Sequence, residues 1–149
     1  LSHRSDVLAR LATALRRCGA RAAIATGPSD PAALGPVPDG WLVAPTLPQV
    51  ALLAHADLAI HHGGNNSVQE SLAAGVRQLV LPFSTDQFAN AFDLERTGRG
   101  LAAPPNTATP DELAVLVGRC LDDARPAPIT RPDADALAAA LGGPAPIPA

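Results

Sequence analysis

Short apolar runs alternate with longer stretches of helical periodicity along almost the whole chain, and this alternation limits the possible folds more than any other feature. Residues 21–26, 41–44, 58–61 and 78–81 are mostly apolar, the first ended by Gly27-Pro28 and the last by Pro82. Such runs predict buried strands, and 101–103 gives a fifth. Between them apolar residues recur at helical spacing. Leu8, Leu11, Leu15 and Cys18 precede Gly19, and 66–74 precede Gly75. The segment 86–97 precedes Gly98, and 48–55 makes a shorter helix. Ser5 is an N-cap candidate with Asp6 in the first turn. Thr109-Pro110-Asp111-Glu112 forms a capping box that opens a helix through Leu113, Leu116, Val117 and Cys120. Thr130 and Pro132 start a last helix through Leu137 and Leu141. Residues 27–40, with Pro28, Pro31, Pro36 and Pro38, read as a loop. Strands that alternate with helices pair in parallel and need helices on both faces. The expected fold class is therefore α/β, a Rossmann-like parallel sheet.

Length and composition narrow the function classes. The 149 residues suit one domain, expected over 1–141, with a Pro-rich tail at 142–149. Aromatic residues make up only 3%, so the core is mostly Ala, Leu and Val. Net charge is −3 and the eleven basic residues are scattered, which argues against a nucleic-acid partner. No apolar run spans a bilayer, so no stable membrane insertion is expected. The first twenty residues lack the pattern of a signal peptide. Cys18 and Cys120 read as reduced, buried thiols, and a cytoplasmic location is the default. A chain that begins with Leu1, almost directly at a helix, is expected to be a fragment or processed piece of something longer.

One strand end carries a concentration of chemistry: His62-Gly63-Gly64-Asn65-Asn66-Ser67-Val68-Gln69-Glu70. In open α/β sheets, ligands bind beyond the carboxyl ends of strands. Gly63 and Gly64 let the backbone approach a ligand closely. Asn65, Asn66 and Ser67 stand where a helix begins, where free N–H groups and the helix dipole favour an anion such as a diphosphate. His62 adds a donor. Glu70, one turn later, would repel phosphate but suits a sugar diol such as ribose. The plainer alternative is ordinary Asn and Ser caps, an ordinary Gly-Gly turn and a solvated Glu70. The Gly-x-Gly-x-x-Gly dinucleotide spacing is absent, and a chain without Lys has no P-loop.

Taken together, residues 41–100 resemble the nucleotide-binding domain of GT-B glycosyltransferases, in the family of plant natural-product and bacterial antibiotic glycosyltransferases. The resemblance rests on Pro48-Gln49 with Leu52, Leu53 and His55. It continues through His62, Gly64, Asn66, Ser67 and Glu70, then Gly75-Val76, Pro82, Asp86-Gln87 and Asn90. It implies one half of a GT-B fold. It also implies diphosphate binding by His62, Gly63, Gly64, Asn65, Asn66 and Ser67, ribose binding by Glu70, and donor-sugar binding by Asp86 and Gln87. Thr46, Leu47 and Gln49 would flank the base. Thr46 stands where plant members place a base-stacking Trp, which leaves uracil and thymine both open. Arg77 replaces a usual Pro, either as a surface substitution or as a further phosphate ligand.

The resemblance further implies inverting transfer of a hexose from a UDP- or dTDP-sugar to a small-molecule acceptor, with no cofactor and no metal. No catalytic residue is expected in this chain. The general base belongs to an N-terminal acceptor-binding domain or subunit, so the isolated chain is expected to be inactive. The domain's usual first strand is also expected to be missing. Two alternatives remain open: a non-catalytic nucleotide-sugar-binding subunit or scaffold, and a GT-B fold nucleotide-sugar epimerase. The Asp86-Gln87 pair argues against the epimerase.

Overall fold

The computed structural model describes residues 4–123 and 126–129. Helix α1 (Ser5–Arg17) buries Val7, Leu8, Leu11, Ala12 and Ala14 along one stripe. Ser5 is not its cap. The helix begins one residue earlier than that reading requires, with Arg4 at the N-cap position and no side-chain cap bond. The Arg4 guanidinium instead grips Asp6 at 2.9 Å, placing the carboxylate in the first turn, where the helix dipole favours it.

Strand β1 (Ala23–Ala25) pairs in parallel with β2 (Leu42–Ala44). The stretch between them is not all loop. Pro31–Leu34 forms a 3-10 turn, capped by Asp30 accepting from the Ala32 N–H at 2.9 Å, and it buries Leu34. The prolines conceal this turn in the sequence, because Pro is as compatible with the start of a helix as with a loop. Trp41, one residue before β2, donates its indole N–H to the Ala20 carbonyl at 2.9 Å and packs with Leu8, Ile24 and Leu34.

After the short helix α2 (Gln49–Leu53), β3 (Leu58–His61), α3 (Asn65–Ala74), β4 (Arg77–Val80), α4 (Thr85–Arg96), β5 (Gly100–Ala102) and α5 (Pro110–Asp122) alternate as expected. Strands β3, β4 and β5 pair in parallel, in that order. Alternate residues of β4 and its extension face opposite layers, as strand geometry requires. Leu79 and Leu81 join Val7, Leu11, Leu113 and Val117 of α1 and α5. Val80 joins Leu72, Ala91 and Leu94 of α3 and α4. Each such fully buried aliphatic side chain contributes roughly 1.5–3 kcal/mol. The capping box of α5 is complete, with both Thr109–Glu112 bonds formed at 3.0 and 3.1 Å.

The class is α/β with parallel strands and helices on both faces, but the single expected sheet is divided. β1–β2 and β3–β4–β5 are separate sheets, because β1 and β3 do not pair and a cavity lies between them. Cys120 is buried, Cys18 half-buried, and both are free thiols. Arg77 opens β4 at its amino end, away from the strand ends that carry the motif. It donates to the Gly98 carbonyl at 2.6 Å, so it is neither an idle surface substitution nor placed for phosphate. The helix expected from Thr130, the boundary at 141 and the tail lie outside the described residues.

Candidate functional site

Strands β3, β4 and β5 run in parallel, so the segments leaving β3 and β4 emerge at one end of the domain, and the Gln49 bonds to Ser67 and Glu70 bring the segment after β2 to the same end. That end holds every candidate site residue. Helix α3 starts at Asn65, with Gly64 as its N-cap residue and no side-chain cap. The first helical acceptor, the Gly64 carbonyl, is taken by the Val68 N–H at 3.0 Å. Helix geometry leaves the N–H groups of Asn65, Asn66 and Ser67 without an intrahelical acceptor. Asn and Ser are therefore not spent as ordinary caps here.

The loop that delivers this helix start is tightly specified. Gly63 has φ +95°, and a Cβ there would stand 2.9 Å from Val80 Cγ1 and 3.2 Å from the Gln87 carbonyl. Only glycine combines that backbone with that closeness. The His62 ring folds over Gly64, its Nε2 2.9 Å from where a Cβ would be. Burial holds the half-buried His62 imidazole below its ordinary pKa, with the Asp86 carboxylate pulling the other way.

His61, the last residue of β3, also shapes the loop. Its Nδ1 accepts the Gly63 N–H at 3.0 Å, and its Nε2 lies 2.7 Å from Gln78 Oε1. Gln78 is itself fully buried and reaches the Val68 carbonyl of α3 at 3.3 Å. Asn90 of α4 completes the frame. Its Nδ2 donates to the Gly63 carbonyl and to Asn65 Oδ1, both at 2.8 Å. The sequence shows Asn90 as part of a motif but not as the strut between α4 and the start of α3. A period-2 reading of β3 puts His61 indoors, and a buried polar residue with a buried polar neighbour is the signal that was available.

The structure joins three expected residues directly. Gln49, at the start of α2, donates Nε2 to Glu70 Oε2 at 2.7 Å and to Ser67 Oγ at 3.2 Å. The base-flanking, ribose and diphosphate candidates thus form one cluster. Thr46 is exposed and Leu47 half-buried on the same connection. On the other side, Asp86 is exposed and accepts from Ser84 Oγ at 2.9 Å. Gln87 is less available than expected, because its Oε1 accepts the Phe83 N–H at 2.8 Å. His55 is exposed, one residue past the C-cap of α2. Among the described residues, no group of three or more His, Cys, Asp or Glu could hold a metal ion. No helix among them is long and apolar enough to cross a membrane.

The family profile described as "Erythromycin biosynthesis protein CIII-like, C-terminal domain" matches residues 11–147. L-demethylnoviosyl transferase of Streptomyces niveus is 37% identical over 102 residues, covering 68% of this chain and 26% of that protein. The crystal structure of the glycotransferase of kitacinnamycin superposes with a TM-score of 0.76 at 28% identity, covering 96% of this chain and 37% of that one. A spinosyn rhamnosyltransferase, complexed with thymidine diphosphate, superposes with a TM-score of 0.67 at 29% identity, covering 78% of this chain and 32% of that one. The chain therefore spans between a quarter and two fifths of the length of these relatives.

Proposed function

The chain belongs to the erythromycin biosynthesis protein CIII-like C-terminal domain family, and from that premise we propose that it is the donor-binding half of a natural-product glycosyltransferase. One observation carries the reading: α3 begins without a side-chain cap, beneath His62 and beside the Gln49–Ser67–Glu70 cluster. The N–H groups of Asn65, Asn66 and Ser67, with His62, hold the donor diphosphate. Glu70 accepts from the ribose hydroxyls, Thr46, Leu47 and Gln49 border the base, and Asp86 with the free NH2 of Gln87 meets the sugar. The thymidine diphosphate in the spinosyn rhamnosyltransferase supports a dTDP- or UDP-linked donor.

The reaction is displacement at the sugar carbon with inversion. The acceptor oxygen forms the new bond as the bond to the diphosphate breaks, and an acceptor-binding domain or subunit supplies the base that takes the acceptor proton. Negative charge grows on the departing diphosphate. The start of α3 is preorganised to receive it, and removing one donor of this kind raises a barrier by roughly 3–4 kcal/mol. The chain's own contribution needs no metal, since N–H groups and an imidazole meet the charge.

Calorimetric titration of the chain with UDP and dTDP, without added metal, tests the proposal. Saturable one-site binding of a nucleoside diphosphate, with little response to the free nucleoside, is expected. Absence of binding to either diphosphate overturns the reading.

A further inference from the structure

Three segments meet on one guanidinium, that of Arg4: the start of α1, the connection from β4 to α4 and the connection from β5 to α5. Its Nε and Nη2 fork onto the Asp6 carboxylate, each at 2.9 Å. Nη2 also donates to Asn106 Oδ1, between β5 and α5, at 2.9 Å. The guanidinium carbon lies 5.2 Å from the centre of the Phe83 ring, between β4 and α4, close enough for the ring face to attract the cation. Arg10, one helical turn after Asp6, reinforces the grip. It donates to Asp6 Oδ2 at 3.3 Å and to the carbonyls of Pro105 and Ala108 at 2.5 and 2.6 Å.

Phe83 is held twice. Its half-buried ring packs against the core under α1 and α5, with Arg4 over it. Its N–H is taken by Gln87 Oε1 at 2.8 Å. The residues in between belong to the same turn: Ser84 is the N-cap residue of α4 and donates its hydroxyl to Asp86 Oδ1 at 2.9 Å. The stretch from Phe83 to Gln87 is therefore pinned at one end by Arg4 and closed at the other by Gln87. Among the described residues, no hydrogen bond links Arg4 or Phe83 to the start of α3. An exposed ion pair adds little to the stability of a domain; this one also fixes the place of a ring beside a candidate ligand residue.

We propose that Arg4 is a positioning residue for the donor sugar, holding through Phe83 the turn that presents Asp86 and Gln87. The inference rests on the donor-binding reading above, in which those two residues meet the sugar and the start of α3 meets the diphosphate. Arg4 acts on the first pair and not on the second site, so its loss separates the two parts of the donor. The planar fork is what the role requires. A guanidinium can hold a carboxylate by two parallel bonds while its face lies on an aromatic ring, whereas an ammonium is a point charge that keeps the attraction to the ring and loses the fork.

The test uses Arg4→Ala, Arg4→Lys, Phe83→Leu and the Arg4→Ala/Phe83→Leu double variant. Without ligand, hydrogen exchange of the Phe83 amide reads the turn, and the Leu81 amide, bonded to the His61 carbonyl, is the control. In Arg4→Ala the Phe83 amide is expected to exchange about fivefold faster and the Leu81 amide to be unchanged. With ligand, calorimetry compares UDP-glucose and dTDP-glucose with UDP and dTDP. Arg4→Ala is expected to bind the nucleotide-sugars about fivefold more weakly and the diphosphates within about twofold of the unaltered chain. Arg4→Lys is expected to fall between. In the Phe83→Leu background Arg4→Ala is expected to add little, because the ring through which it acts is gone. Unchanged Phe83 exchange, equal loss of nucleotide-sugar and diphosphate affinity, or full additivity of the two substitutions each overturns the proposal. An unaltered chain that binds the diphosphates but neither nucleotide-sugar overturns it too, leaving the diphosphate site standing. One that binds none of the four ligands overturns the donor reading itself, and this proposal with it.

Discussion

His61 and Gln78 meet at 2.7 Å in the buried centre of the β3–β4 pair, and the bond fixes which ring nitrogen carries the proton. Because Nδ1 accepts the Gly63 N–H, the neutral ring must donate from Nε2 to Gln78 Oε1. A protonated ring would set a second N–H against the Gly63 donor. Burial agrees, lowering the His61 pKa to about 4.

This makes stability pH-dependent in a definite direction. With the folded pKa near 4 and an unfolded value of about 6.5, the unfolded chain binds the proton first as pH falls. Stability contributed by the neutral ring is therefore complete above pH 6.5 and is lost progressively between about 6.5 and 4, by up to roughly 3 kcal/mol. Urea unfolding at pH 7.5 and 5 should show a lower midpoint at 5. A His61→Gln variant should have a flatter profile. Equal slopes in the two proteins would remove His61 as the cause.

His61 bonds to Gly63 and Gln78, so in the proposed donor site it is a positioning residue. His61→Phe keeps the buried ring but leaves two buried polar groups unpaired, a cost of about 1–3 kcal/mol each. Affinity for a nucleoside diphosphate should fall about tenfold, while affinity for the nucleoside alone changes little. His61→Asn offers an oxygen near the Nδ1 position and should restore part of the loss. A proportional fall for both ligands would indicate general unfolding instead.

Gly63→Ala tests the loop from the other side. The new Cβ meets Val80 Cγ1 at 2.9 Å on a backbone with φ +95°. Destabilisation of about 1–3 kcal/mol is expected, with diphosphate affinity reduced further as the loop moves. Thermal unfolding with and without dTDP separates the two effects.

The alternation of short apolar runs with helical periods was enough to read the α/β class and the strand ends where the candidate site lies. The places of Gly63, Asn66 and Glu70 at the junction of β3 and α3 were legible because short-range geometry ties each to a strand end. The roles of His61, Asn90 and Gln78 were not, since they depend on contacts across 17 to 27 positions. Leu34 was hidden among prolines, and the Ser5 cap gave way to an Arg4–Asp6 pair that local propensity does not rank. The divided sheet was invisible because periodicity predicts strands, not which neighbours they find.

Glu70 and Gln49 should separate in magnitude. Glu70 is the charged acceptor, and a hydrogen bond to a charged group is worth about 1.5–3 kcal/mol. Glu70→Ala should weaken dTDP and UDP binding by roughly ten- to a hundredfold. Gln49→Ala removes only the Nε2 group that orients Glu70 Oε2 and Ser67 Oγ, so its effect should be a few-fold. Calorimetry of both variants checks the order, and unchanged affinity in Glu70→Ala would remove the ribose role.

Asp86 should discriminate between ligands that differ only in the sugar. It is exposed at the first turn of α4, held by Ser84 Oγ, and among the described residues no hydrogen bond ties it to the start of α3, although its charge reaches His62. Asp86→Ala should therefore leave dTDP and UDP affinity within about twofold and weaken the corresponding nucleotide-sugars about tenfold, the cost of one charge-assisted hydrogen bond. The Asp86 carboxylate also favours the protonated form of His62, so its removal should lower the His62 pKa further, and a histidine NMR titration reads that shift separately. If both ligand classes weaken equally while the His62 titration moves, Asp86 acts through the diphosphate site. If only the nucleotide-sugar weakens, it contacts the sugar itself.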